Sequence, residues 1–158
     1  MRHVAAAFSV ALAIVAAPAA HPGPRDLGCP VTLPKADGSR FASGNRSLRV
    51  ALWPGGTLEA GMLPDGGAYA VINSDGSIVA KLAWWRGVPG QLTVKGERLD
   101  QHAPPLRADI PEGYADTGFQ PSGLTFPTMG CWKIHGTVGE GNLTFVVRVV
   151  RAQLRSRR

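Results

Sequence analysis

Residues 131–150 read CWKIHGTVGEGNLTFVVRVV. Apolar and polar residues alternate on both sides of Gly139-Glu140-Gly141-Asn142, and a period of two is the mark of a strand with one buried face. The stretch therefore predicts a hairpin of Cys131–Val138 with Leu143–Val150. Setting Val138 opposite Leu143 brings Gly136 against Phe145, Ile134 against Val147 and Trp132 against Val149. Nearly every large apolar side chain then falls on one face, the expected core. The other face carries Cys131, Lys133, His135 and Thr137, with Lys133 across from Arg148. A slip of one residue would exchange the two faces.

The same alternation runs upstream. Ser77–Arg86 and Gly90–Arg98, turning at Gly87-Val88-Pro89, predict a second hairpin in which Trp84 meets Leu92 and Leu82 meets Val94. Lys81, Trp85, Thr93, Lys95 and Glu97 are left outside. Leu48–Trp53 reads as a strand burying Leu48, Val50 and Leu52, with Trp53 outward. Ala68–Asn73 is another, turning through Asn73-Ser74-Asp75-Gly76 into Ser77. Arg98–Gln120 reads as a proline-punctuated loop with at most one short strand near Leu106, and Pro121–Gly130 as the bend that delivers Cys131. With 13 prolines and 20 glycines, no amphipathic helix is legible. The expected class is all-β, an immunoglobulin-like sandwich of about six or seven strands.

The first residues, MRHVAAAFSVALAIVAAPAA, place Arg2 before an uncharged apolar run from Val4 to Ala17 and small residues at Ala17 and Ala19. This is the pattern of a secretory signal peptide, residues 1–19, cut before Ala20. The run is shorter than the roughly 20 residues of a membrane span. Removing it leaves 139 residues, one ordinary domain, and a net charge of +5 from 16 basic and 11 acidic residues. The expected organisation is an N-terminal segment over 20–46, a sandwich over 47–151 and a basic tail over 152–158. Arg148, Arg151, Arg155, Arg157 and Arg158 concentrate the excess at the end, where nucleic acid or anionic lipid is the salt-sensitive alternative to a plain solubilising tail. The only two cysteines of an exported chain most simply pair, Cys29 with Cys131, and so tether the N-terminal segment; a free reactive thiol pair is the alternative.

Taken together, LAWWRGVPGQLTVKGERLD (82–100) and GFQPSGLTFPTMGCWKIHGTVGEGNLTFVVRVV (118–150) resemble a family of bacterial exported proteins and lipoproteins that end in FP-x-x-GCW and a hairpin. The resemblance covers about half of the mature chain. It implies an envelope or extracellular location and a β-sandwich, and carries no catalytic residues to transfer.

Chemistry-bearing motifs are few. There is no G-x-S-x-G elbow, no phosphate-binding or dinucleotide loop, and no zinc spacing. Asp100 and His102 in the loop DQHAPP, with Asp109 beyond, are the one acid–base or metal candidate, pointing to a metal-dependent hydrolase as the alternative function. Binding is the first expectation, with no cofactor. The candidate residues are Trp85 with Arg86 and Lys95 beside Gln91, as a platform for a sugar ring or peptide, and Lys133, His135 and Arg148, whose like charges call for an acidic partner or an external anion. Trp85 is either exposed there or covered by the loop 98–120. The expected function is an exported, non-catalytic binding or structural module, with an envelope glycan, peptide or protein as partner, no nucleic acid, and no membrane span in the mature chain. Asn45 and Asn142 match the N-glycosylation pattern.

Overall fold

The computed structural model describes residues 28–35, 39–41, 43–61 and 69–153. The expected signal-peptide segment 1–19 and Arg155, Arg157 and Arg158 lie outside the described residues. Among the described residues ten strands form: β1 (Ser43–Gly44), β2 (Leu48–Val50), β3 (Thr57–Ala60), β4 (Ala70–Ile72), β5 (Ile78–Arg86), β6 (Thr93–Arg98), β7 (Arg107–Asp109), β8 (Gly118–Phe126), β9 (Gly130–Val138) and β10 (Gly141–Arg151). β8 lines the whole of β5 on one edge, and β2 and β4 share the other. β4 leads to β3, which runs parallel to β10, and β9 and β6 complete the sheet.

This sheet folds over on itself. Trp84 of β5 meets Phe145 of β10 with ring centroids 5.7 Å apart, and Phe126 of β8 meets Trp132 of β9 at 5.6 Å. Neither β5 and β10 nor β8 and β9 are paired strands, so the contacts are between layers. Leu48, Val50, Leu82, Trp84, Leu124, Ile134 and Val147 fill the space between them and are almost fully buried. Each such side chain contributes about 1.5–3 kcal/mol by leaving water. Gly136 is small because Trp84 lies on it: a Cβ there would stand 2.7 Å from the indole.

The all-β class stands, but the strands form one continuous sheet of ten, against the six or seven in two sheets expected of an immunoglobulin-like sandwich. Three local corrections go with this difference. The β9–β10 hairpin forms two residues out of the expected register, with Val138 opposite Gly141, Ile134 opposite Phe145 and Trp132 opposite Val147. The turn is two residues, Gly139-Glu140, with Gly139 at φ +49°, the positive φ that tight hairpin turns reserve for glycine. A shift of two preserves the faces, so the core assignment holds. The partners change: Lys133 faces Val146 and Arg148 faces Cys131.

The second hairpin does not form. β5 already has neighbours on both edges, so β6 pairs with β9 in the other half of the sheet, and Gly87–Leu92 crosses between layers. Leu82, Trp84, Leu92 and Val94 are buried even so. The third correction is β8, which runs through the end of the expected loop and into the expected bend. Pro121, Gly123 and the inward Gln120 and Ser122 mask its alternation. Those polar groups are satisfied inside: the Trp84 indole N–H donates to Ser122 Oγ at 3.0 Å and Ser122 donates to the Leu82 carbonyl at 3.3 Å. Pro121 sits where β8 has only β5 beside it, since β7 pairs at 123–125, a position that tolerates a missing N–H. Trp53 also departs from expectation. It is buried, because β2 ends at Val50 and a 3-10 turn at Pro54–Gly56 redirects the chain.

The Cys29–Cys131 disulfide forms, with Cα atoms 5.5 Å apart. It straps residues 28–35 along the edge of β10 away from β9, where Thr32 N–H donates to the Val146 carbonyl and Thr32 Oγ1 accepts from Val146 N–H. The residues around Cys131 serve this corner. Gly130, at φ +140°, lies under the Arg98 guanidinium, where any Cβ would collide. Arg98 in turn donates to Asp100 and to Thr128 Oγ1, and the Trp132 indole N–H donates to the Thr128 carbonyl.

Candidate functional site

Strand alternation sends Val79, Lys81, Ala83 and Trp85 of β5 to the outer face. At the Trp85 end, Arg49 of β2 and Phe119 of β8 are its register partners on either side. Phe41 rests between the rings, 6.0 Å from Trp85 and 6.3 Å from Phe119 by centroid, and Tyr114 lies 6.0 Å from Phe119. The Arg49 guanidinium carbon stands 5.8 Å from the Trp85 ring, a cation–π distance. Trp85, Phe119 and Tyr114 are 38%, 43% and 44% exposed. Large aromatic rings are normally inside, so a contiguous exposed strip is the candidate contact surface of this face. Beside it, past Ala83, a shallow groove of about 400 Å³ is lined by Ala51, Lys81, Tyr69, Ser39 and Arg40 among others. That volume lies in the range of small-ligand sites.

Trp85 is thus exposed, and the loop 98–120 does not cover it, but its expected companions are elsewhere. Arg86 is only 5% exposed. It follows Trp85 in a strand and so points to the opposite side, where its Nη1 donates to the Gly90 carbonyl at 2.9 Å and its Nη2 to the Ala115 carbonyl. Lys95 belongs to β6 and stands opposite His135 of β9, in the other half of the sheet. There Glu97 supplies the acidic partner, forming an ion pair with Lys133. His135 Nδ1 and Thr144 Oγ1 are 2.8 Å apart, and Thr93 and Thr137 share a hydrogen bond of 2.6 Å. Arg148 lines a cleft of about 160 Å³ beside the disulfide.

Asp100, His102 and Asp109 do not converge. Arg98 holds the Asp100 carboxylate, with Nε to Oδ1 at 2.7 Å, and this hydrogen bond keeps the carboxyl below its ordinary range, against a smaller upward push from burial. Asp109 lies on β7, away from that corner, and among the described residues no group of three His, Cys, Asp or Glu side chains is placed to hold a metal ion. Asp75 is likewise shifted down, by hydrogen bonds from the Ser77 hydroxyl and backbone N–H that close the turn before β5. Asn45 serves structure too, accepting from the Ser47 and Leu48 amides and donating to the Asn142 carbonyl.

Arg49, Phe41, Phe119 and Tyr114 were not legible as site residues. Arg49 carried a signal, being the outward residue between Leu48 and Val50, and Phe119 would have carried one had β8 been recognised. No helix among the described residues is long and apolar enough to cross a membrane. No protein-family model, curated protein or solved structure matches this chain.

Proposed function

We propose that the protein is an exported, non-catalytic binding module of a bacterial cell envelope or the extracellular space, and that it holds a glycan on the strip of Phe41, Trp85, Phe119 and Tyr114. One observation carries this reading: three aromatic side chains, each more than a third exposed, join in one strip across paired strands. A flat ring stacks on the apolar face of a sugar, and Arg49 beside it offers charged donors that orient the ligand. The groove past Ala83 extends the surface in the direction a chain of sugars would take. Export is supported by the apolar run 4–17 and by the disulfide, which persists in oxidising compartments.

The test is retention of the mature protein on insoluble envelope polysaccharide. Trp85→Ala and Phe119→Ala are expected to lower retention at least about tenfold each, in line with aromatic anchors at binding surfaces. Retention equal to the parent in both variants sinks the proposal.

A further inference from the structure

Arg86 is the most deeply buried charge among the described residues. Its guanidinium is almost wholly buried, its Nε has no hydrogen-bond partner, and its Nη atoms meet only the carbonyls of Gly90 and Ala115. Among the described residues the ion pairs are Arg98–Asp100 and Lys133–Glu97, and Arg86 takes part in neither. Buried charges are ordinarily paired with an opposite one. Arg86 also lines a cavity of about 270 Å³ whose walls include Gln91, Tyr114, Glu112 and Asp116. Both carboxylates are exposed. The cavity thus has a cation in its wall and two anions near the solvent.

We propose that this cavity is a binding site for a small zwitterion, such as a free amino acid, whose carboxylate pairs with Arg86 and whose ammonium group meets Glu112 and Asp116. A guanidinium is a forked donor matched to a carboxylate, and its free N–H groups are those that backbone carbonyls leave over. A multiply charged anion such as phosphate fits less well, because Glu112 and Asp116 repel it. The volume is at the small end for ligand sites, suited to one amino acid rather than to an oligosaccharide. The site is therefore separate in chemistry from the aromatic strip, although Tyr114 borders both.

The experiment is an NMR titration of the 15N-labelled mature protein with alanine, acetate, methylammonium and phosphate. Alanine is expected to give saturable shifts at the amides of Gly90, Gly113 and Asp116, with acetate and methylammonium each at least about tenfold weaker. Arg86→Gln is expected to weaken alanine by at least about tenfold. Should that variant fold poorly, the double change Glu112→Gln and Asp116→Asn, confined to exposed side chains, is expected to make acetate bind as well as alanine. No saturable shift with alanine, phosphate binding tighter than alanine, or an unchanged preference in the double variant would overturn the proposal.

Discussion

The two outer faces of the folded sheet are built from the same alternation and differ in how their side chains are used. On β6, β9 and β10 six outward residues satisfy one another: Thr93 with Thr137, His135 with Thr144, Glu97 with Lys133. On β2, β5 and β8 they are Arg49, Trp85 and Phe119, and the rings meet water. A polar face that closes its own hydrogen bonds has little left to offer a ligand. A face that leaves aromatic area exposed keeps free energy in reserve for contact with another molecule. The contrast separates exposed aromatic area from charge, since Lys133 on the polar face is already paired with Glu97.

The sharpest way to probe that contrast is to compare neighbours. Trp84→Ala is expected to destabilise the protein by about 3–5 kcal/mol by opening a cavity against Phe145, whereas Trp85→Ala should alter binding with a much smaller loss of stability; chemical denaturation of both variants checks this. If the two cost the same, the strip is core and the contrast fails. Replacing both Cys29 and Cys131 with Ser is expected to cost about 2–4 kcal/mol, because the loop they close spans about 100 residues; thermal unfolding with and without reductant reads it. Gly136→Ala forces a methyl group against the Trp84 ring, and about 1–3 kcal/mol of destabilisation is expected, measurable in the same denaturation series.

Acid sharpens the polar side. Arg98 holds Asp100 below its ordinary pKa, so the stabilisation is present above the unfolded value of about 3.9 and is lost as pH falls through the lower folded value. The parent should therefore lose stability on acidification below about pH 4, and Asp100→Asn should lose less. An acid limb unchanged in the variant would show that the pair contributes nothing. The smallest effect is expected for Glu97→Gln, under about 1 kcal/mol, since its pair with Lys133 is exposed. A larger cost would mean that the polar face is a structural network.

Which side of β5, β6, β9 and β10 is buried was legible in the residues themselves. Trp132, Ile134, Gly136 and Val138 face inward, and so do Leu82, Trp84, Leu92 and Val94, as their alternation with polar neighbours requires. The reason is local: successive side chains in a strand leave on opposite sides, and water selects between them. The pairing of Cys29 with Cys131 was legible for an equally simple reason, since the chain contains no other cysteine. Which strands lie side by side was not. A register slip of two residues in the β9–β10 hairpin leaves both faces unchanged, and β6 buries the same residues beside β9 as it would beside β5. Period two is blind to both choices. They were decided by the length of a turn at Gly139-Glu140 and by the prior claim of β2, β4 and β8 on the edges of β5. The convergence of Phe41, Arg49, Phe119 and Tyr114 on Trp85 follows from that pairing, so the candidate site exists only in the tertiary structure.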